Sequence, residues 1–200
     1  MIDSPVKFDI EYPEKLSRGI LLLKTFLGQV YVGIPHMFCL MFYAIAIAFV
    51  QIYVWFAILF TGKYPEKSFH FILGYYRWLF RVLAYWTLMM TDKYPPFTSK
   101  EIPGDPVTFN IEYPTNLSKG ILLLKTFFGF IYVGIPHMFC IMFYAMAVMF
   151  VQIYVWFYIL FKGKYPAVFL RFVKGLYRWA MRVGAWSHDE DVYPPFTGKV

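Results

Sequence analysis

The stretch His36–Phe60, HMFCLMFYAIAIAFVQIYVWFAILF, determines the class of this protein. Its 25 residues include no Asp, Glu, Lys or Arg, and residues 137–161 repeat it almost unchanged as HMFCIMFYAMAVMFVQIYVWFYILF. About 20 consecutive apolar residues in a helix are enough to cross the hydrocarbon core of a bilayer. Each stretch is therefore predicted to be a lipid-contacting helix, with Tyr53, Trp55 and Tyr64 forming an aromatic belt at the membrane interface.

The composition of the whole chain also indicates a membrane protein. Of its 200 residues, 60% are hydrophobic, 23% are aromatic and only 16% are charged. Soluble domains average about 45–50% apolar and about 25% charged residues, and a domain of this size cannot bury so large an apolar excess. The two cysteines, Cys39 and Cys140, lie inside apolar runs, unlike the cysteines of a secreted disulfide framework. The first residues contain acids and no apolar core of a signal peptide.

The charge pattern favours a membrane surface over nucleic acid. The net charge is +7, and residues 15–65 and 113–188 contain no Asp or Glu but several Lys and Arg. A basic, apolar chain of this kind suits anionic lipid headgroups. No nucleic-acid partner is expected, because no nucleic-acid-binding module accompanies the isoelectric point of about 9.3.

The chain contains one unit twice. Residues 5–86 align with residues 106–187 at a constant offset of 101, and 55 of these 82 pairs are identical. The polar segment between the copies contains Pro and Gly, which are typical of a boundary. We therefore divide the sequence into a first membrane repeat, a linker and a second membrane repeat, at residues 1–98, 99–105 and 106–200.

Each copy is expected to begin with a short β-strand. Residues 6–12 alternate apolar and polar side chains with the period of two that a strand requires, and residues 107–113 repeat the pattern. A single strand is only marginally stable in water, so the strand of the other copy is the expected partner.

Two helices are expected to follow in each copy. The first covers Leu16–Gly33 with Ser17 as its N-cap, and it should break at Gly33-Ile34-Pro35, because proline lacks the N–H that a helix interior needs. It is then predicted to form a membrane hairpin with the helix 36–60. A hairpin of 36–60 with the following segment is an alternative. Either hairpin leaves both termini on the cytoplasmic side, whereas a single crossing per copy would make an inverted repeat.

The last segment of each copy, 69–90 and 168–186, is predicted to be an amphipathic helix with a basic face. Four cations in hydrocarbon would cost about 10–14 kcal/mol, so a helix in the membrane interface is favoured over a spanning one. The cations are predicted to bind anionic lipid headgroups, with simple anchoring as the alternative; they are Lys67, His70, Arg77, Arg81, Arg171, Lys174, Arg178 and Arg182.

His36 and Cys39 share a helix face, as do His137 and Cys140. Packing of the two copies about a pseudo-twofold axis would bring the four side chains together as a tetrahedral zinc-type set, or the two histidines together on a haem. The alternative is a buried histidine bonded to a carbonyl freed near Pro35, beside an inert thiol.

The remaining polar and helix-breaking residues are expected to serve helix packing. A glutamine within an apolar helix favours association through hydrogen bonds, and glycine and proline mark the expected breaks. These packing residues are Gln51, Gln152, Gly33, Pro35, Gly134 and Pro136. No enzyme is expected: Ser187, His188 and Asp189 are adjacent in sequence, whereas catalytic triads are spatial arrangements. No cofactor is expected either.

Several motifs together resemble a known family. They are Pro5–Pro13, Gly33–His36, Leu59–Pro65, Arg77-Trp78 with Arg81-Val82, and Thr91–Phe97. This set resembles the bacterial membrane family catalogued as domain of unknown function 4389, and the resemblance covers nearly all of both copies. It implies a protein of the bacterial cytoplasmic (inner) membrane and supplies no activity, ligand or catalytic residue. The second copy departs from the pattern at 187–191.

The sequence therefore predicts an all-α membrane protein of two homologous helical repeats, with basic interfacial helices and a short strand at the start of each repeat. Its predicted function is that of a non-enzymatic accessory or scaffold subunit of a larger bacterial membrane complex, in contact with anionic lipids and other subunits. A stand-alone lipid-binding or membrane-shaping protein, or a metal- or haem-binding membrane protein, are the alternatives.

Overall fold

The computed structural model describes residues 5–188 and 191–199, with Ser187 and His188 described by their backbone alone. Two strands and six α-helices occur in this part of the chain. In chain order they are β1 (Val6–Ile10), α1 (Arg18–Gly28), α2 (Ile34–Thr61), α3 (Glu66–Tyr85), β2 (Val107–Ile111), α4 (Lys119–Gly129), α5 (Ile135–Lys162) and α6 (Ala167–His188). The mostly helical fold, the small sheet and the repeated layout agree with the sequence-based prediction.

The predicted break at Gly33-Ile34-Pro35 is wrong. A π-helical turn, Gln29–Gly33, joins α1 to α2, so that residues 18–61 form one helix of 44 residues. The Ile34 N–H donates to the Gln29 carbonyl, five residues back. Pro35 has no N–H to donate, and the Tyr31 carbonyl, four residues before it, accepts from the Tyr94 hydroxyl at 3.1 Å instead. Residues 119–162 form the equivalent helix of the second copy, with a π-helical turn at Phe130–Gly134. The predicted hairpin of 16–33 with 36–60 is therefore also wrong.

The two 44-residue helices run antiparallel, because the start of each lies against the end of the other. The Leu16 N–H donates to the Gly163 carbonyl at 2.8 Å, and the Leu117 N–H donates to the Gly62 carbonyl at 3.0 Å. Two cations reinforce these junctions: Arg18 and Lys119 donate to the carbonyls of Phe161 and Phe60, respectively. At about 1.5 Å per residue each helix is about 66 Å long.

The predicted pairing of strands from different copies is confirmed. β1 and β2 form an antiparallel ribbon in which Phe8 lies opposite Phe109. The apolar side of the ribbon is buried and its polar side is exposed, as the alternation in each strand predicts. Phe8 packs on Phe80 of α3, with ring centroids 4.6 Å apart, and on Tyr177 of α6 at 6.3 Å.

The second half of each copy folds back along its own long helix. Tyr43 donates to the Phe71 carbonyl, while His36, earlier on α2, accepts from Trp78, later on α3, so α3 runs antiparallel to α2. The equivalent contacts, Tyr144 with Phe172 and His137 with Trp179, show that α6 runs antiparallel to α5. Each ribbon strand packs on the other copy's helix, β1 on α6 and β2 on α3. The division at 1–98, 99–105 and 106–200 thus describes the sequence, while in space the two copies interlock.

Candidate functional site: the long helices and the polar ribbon

One side of each long helix is apolar and exposed over nearly its whole length. We call these two surfaces the apolar stripes. Their large side chains recur every three or four residues, and each is at least 38% exposed. On the first helix they are Leu22, Phe26, Val30, Ile34, Phe38, Met41, Ile45, Phe49, Ile52, Phe56 and Phe60. On the second they are Leu123, Phe127, Ile131, Ile135, Met138, Met142, Met146, Phe150, Ile153, Phe157 and Phe161.

The apolar stripes are too large and too regular for a surface that faces water. Soluble proteins seldom expose an apolar patch larger than a few hundred Å². By length and composition, Arg18–Thr61 and Lys119–Lys162 are two candidate membrane-spanning helices, and only 11% of the most apolar 18-residue window of each is buried. The stripe from Leu22 to Phe60 extends for about 57 Å at 1.5 Å per residue, about twice the thickness of the hydrocarbon core.

The polar face of the ribbon lies level with the middle of the long helices. Phe80 of α3 packs against the buried side of the ribbon, on Phe8 and Phe109. Trp78, half a helical turn from Phe80, donates to His36 Nδ1 at 3.0 Å. His36 is near the centre of the helix 18–61. On the second copy Trp179 donates to His137 Nδ1 at 2.9 Å in the same way. The ribbon therefore stands over the centre of the helix pair and far from its ends.

The exposed face of the ribbon carries charge. Lys7 and Glu112 form an ion pair across the two strands at 2.6 Å, and both side chains are more than half exposed. Asp9, on the same face, accepts from Lys174 at 2.6 Å and from Arg178 at 3.0 Å. The ribbon is therefore a surface suited to water, at the same position along the long axis as the centre of the apolar stripes.

Two arginines of the predicted basic faces cover the outer edges of the ribbon. Arg77 Nε donates to the Phe109 carbonyl at 3.1 Å, and Arg178 Nε donates to the Phe8 carbonyl at 2.7 Å. Arg77 also contacts Glu101 at 2.8 Å. Because a free strand edge invites pairing with another chain, these side chains protect the ribbon as well as hold it.

Three further cations of the basic faces are buried. Arg81, 4% exposed, donates to the carbonyls of Thr98 and Lys100 and pairs with Asp105 at 3.3 Å. Burial lowers the pKa of Arg81 from its ordinary value, and the Asp105 carboxylate opposes this shift. Lys174 binds Asp9, and Arg182 donates to a backbone carbonyl of the last described segment.

Five of the eight residues predicted to bind lipid headgroups have partners within the protein itself. Arg77, Arg81, Lys174, Arg178 and Arg182 are directed at the protein's own carbonyls and carboxylates, which come from distant parts of the chain. The basic faces of α3 and α6 thus hold the ribbon and the linker. Three residues of the set remain exposed and keep the lipid role as a prediction: Lys67, His70 and Arg171.

Sequence reasoning missed a pair of buried lysines. Lys24, 3% exposed, donates to Asp92 at 2.8 Å and to the Thr91 carbonyl at 2.6 Å. The other Asp92 oxygen accepts from the Ser17 N–H at the start of α1, where Ser17 is the N-cap as predicted. Lys125 and Asp191 repeat the ion pair at 2.9 Å. Both the lysine and the aspartate recur at matching places in the two copies, and this recurrence could have indicated the ion pair.

The predicted set of two histidines and two cysteines does not form. His36 is fully buried, stacks on Phe97 at 3.9 Å and lies 3.2 Å from the Tyr94 hydroxyl through Nε2. His137 stacks on Phe196 at 3.9 Å in its own copy. No group of three or more His, Cys, Asp or Glu within the described residues is placed to hold a metal ion. Each imidazole is instead enclosed by aromatic rings of its own copy.

The predicted packing residues lie at helix contacts of different kinds. Gln152 accepts from Tyr165 at 3.1 Å and donates to the Leu88 carbonyl of the first copy at 3.4 Å. Gln51 Oε1 is buried, with no hydrogen-bond partner among the described residues. Gly33 lies under the Trp86 ring, where an added Cβ would be 2.7 Å from a ring carbon.

In the second copy, Gly134 faces the Phe130 ring. Pro35 and Pro136 are the second residues of α2 and α5. The Ser187-His188-Asp189 triplet lies outside the described side chains, so the structure says nothing about its arrangement.

The family resemblance of the sequence is confirmed by comparison with known proteins. A sequence model of that family matches residues 24–99 and 124–198. The chain belongs to the family described as Domain of unknown function (DUF4389). The two matched segments are the tandem copies, as the resemblance implied. No curated protein and no solved structure matches the chain.

The DUF4389 segments include the Lys–Asp pairs and the enclosed histidines but leave out the ribbon. Lys24, Asp92 and His36 all fall within the first matched segment, whereas both strands precede their matched segments. The features common to the two DUF4389 copies are therefore the long apolar helix, the antiparallel helix beside it and the tail that closes over both.

Proposed function

We propose that this DUF4389 protein is a non-enzymatic scaffold of the bacterial inner membrane, whose long helices lie in the plane of one leaflet and bind lipid. The apolar stripes contact acyl chains, and the ribbon faces the aqueous side. A chain of this kind occupies area in one leaflet only, which makes it suited to shaping the membrane or to organising anionic lipid beside it.

The position of the ribbon is the observation that carries this orientation. With the long helices along the membrane normal, Lys7, Asp9 and Glu112 would lie at the centre of the hydrocarbon. Each charged side chain costs about 2.5–3.5 kcal/mol at that depth. With the long helices parallel to the membrane plane, the ribbon lies in water and the full length of each stripe, about 57 Å, lies in lipid.

The orientation is tested by labelling the two ends of one long helix from each side of the membrane. In a background of Cys39→Ala and Cys140→Ala, single cysteines replace the exposed Glu14 and Lys63. An impermeant maleimide is added to spheroplasts and to inverted inner-membrane vesicles. We expect both positions to react only in inverted vesicles, because both ends face the cytoplasm.

The second copy offers a matched pair for the same experiment, Thr115→Cys and Lys164→Cys. Labelling of the two ends of either helix from opposite sides would show that the helix spans the bilayer and would overturn the in-plane orientation. Labelling of both ends from the periplasmic side would keep the in-plane orientation and reverse the proposed sidedness.

The exposed ribbon also favours the second candidate function, that of an accessory subunit in a larger membrane complex. Its polar face, with Lys7 and Glu112, projects from the centre of the molecule and offers a surface for a partner in water. Gentle detergent extraction from native membranes, followed by mass spectrometry of what remains bound, tests this function. Recovery of the chain alone as a monomer would contradict it.

A further inference from the structure

A wide cavity opens at one end of the pair of long helices. It lies where the start of the first long helix meets the end of the second, and its volume is about 1120 Å³. Its charged lining comes from three segments of chain that meet only in the folded protein. The charged residues are Glu14, Lys15, Arg18, Asp92, Lys162 and Lys164.

Four cations against two carboxylates make this cavity basic, and one of the carboxylates is already engaged. Asp92 accepts from Lys24 and from the Ser17 N–H, so its charge is already balanced by Lys24, which does not line the cavity. Among the described residues, Lys15, Lys162 and Lys164 form no salt bridge. Their ammonium groups are therefore available to an anion.

The cavity is connected to the apolar stripes through Phe161. Arg18 at the cavity donates to the Phe161 carbonyl at 2.8 Å. The Phe161 side chain is 68% exposed and is the last member of the second stripe. The basic cavity and the apolar stripe thus adjoin at Phe161. A molecule with an anionic head and an acyl tail could place its head in the cavity and its tail on the stripe.

The opposite end of the helix pair is a natural comparison, because the two copies are related by an offset of 101 residues. At that end Asn116 corresponds to Lys15, and Thr61 corresponds to Lys162. Only two of the four cations are retained there, as Lys119 and Lys63. The four-cation cluster is thus a property of one end, and the duplicated fold alone does not account for it.

We propose that this cavity binds the phosphate group of an anionic lipid, with Lys15, Lys162 and Lys164 as its ligands and Arg18 at its inner wall. A phosphate group takes several charge-assisted hydrogen bonds from lysine and arginine side chains. This site rests on the proposed function and adds to it a position, at the end of the helix pair, for the lipid head.

The test uses the full chain in a nonionic detergent, where no charged membrane surface contributes. Dioctanoyl phosphatidic acid is titrated into the protein by calorimetry, and inorganic phosphate is titrated separately. We expect one lipid bound per chain, with an affinity at least about tenfold lower in the Lys15→Asn, Lys162→Thr variant. The control variant, Lys63→Thr with Lys100→Ser, removes the same charge at two exposed positions outside the cavity and should change the affinity less than about twofold.

A gain of binding avoids any ambiguity from misfolding. Asn116→Lys with Thr61→Lys gives the opposite end all four cations, and we expect the stoichiometry to rise from one lipid to two. Equal losses in the cavity variant and in the charge-matched control, or no binding by the wild-type protein, would overturn the proposal. Binding of inorganic phosphate with the affinity of the lipid would overturn the lipid as the source of the phosphate.

These outcomes are separate from those of the labelling experiment. Helix ends that react from opposite sides of the membrane would overturn the in-plane orientation, while lipid binding in detergent would still be measured. Conversely, a cavity that binds no phosphate leaves the in-plane labelling pattern unchanged.

Discussion

Lys24 donates to Asp92 at 2.8 Å, across 68 residues of sequence, and this contact joins the middle of α1 to the segment that ends the first copy. The lysine is 3% exposed, whereas the aspartate is 23% exposed. Lys24 also lies 4.1 Å from the centre of the Tyr85 ring. A cation inside an apolar helix is tolerated here because a carboxylate, a carbonyl and an aromatic face surround it.

Asp92→Asn is expected to destabilise the protein by about 2–4 kcal/mol, because it leaves the buried Lys24 ammonium without its counter-charge. Thermal unfolding in detergent measures the change. Glu14→Gln removes an exposed carboxylate and serves as the control, with an expected change within about 0.5 kcal/mol. If Asp92→Asn unfolds at the wild-type temperature, the ion pair does not contribute to stability.

Gly33→Ala is expected to destabilise the protein by about 1–3 kcal/mol, since the added methyl group would meet the Trp86 ring. The ring carbon lies 2.7 Å from the position of the new Cβ. Gly19→Ala is the matched control, because the Ser17 hydroxyl, the nearest atom to its new Cβ outside the helix backbone, is 3.7 Å away. Thermal unfolding of both variants in the absence of denaturant measures the difference in stability. Equal unfolding temperatures would refute the close approach of Gly33 to the Trp86 ring.

Arg178→Gln is expected to lower stability by about 1–3 kcal/mol, because the Phe8 carbonyl and the Asp9 carboxylate each lose a donor. Arg171→Gln, on the exposed side of the same helix, should leave stability unchanged within about 0.5 kcal/mol. Flotation with phosphatidylglycerol vesicles separates the two roles of the basic face. A loss of vesicle binding in Arg178→Gln at unchanged stability would restore the headgroup role that the structure argues against.

Spin labels at Lys7→Cys and Phe42→Cys test the proposed orientation directly. In the folded chain both positions lie near the centre of the long axis, one on the ribbon and the other on a long helix. We expect the label at position 7 to be relaxed by a water-soluble nickel complex and the label at position 42 by oxygen dissolved in lipid. Oxygen-dominated relaxation at both positions would place the ribbon in hydrocarbon and exclude the in-plane arrangement.

The sequence by itself determined the features that depend on local period and on the repeat. The alternation of residues 6–12 and 107–113 predicted two strands, and their marginal stability alone predicted that they pair with each other. The uninterrupted apolar character of 36–60 predicted a helix with an exposed apolar surface, and the Ser17 cap followed from residue type. The strands, the helix and the cap could be inferred because each depends on residues that are neighbours along the chain, and the strand pairing followed from the repeat.

Only the tertiary structure decided the continuity of the long helices and the partners of the cations. A proline after a glycine predicts a break, but a π-helical turn at Gln29–Gly33 supplies an alternative bond pattern that composition does not reveal. The basic residues met carboxylates and carbonyls up to 170 residues away, Arg178 with Phe8 among them. Which groups pair electrostatically depends on their distance in space and not on their separation in sequence. The sequence therefore showed a basic face without partners, whereas in the fold most of its side chains bind carboxylates or carbonyls.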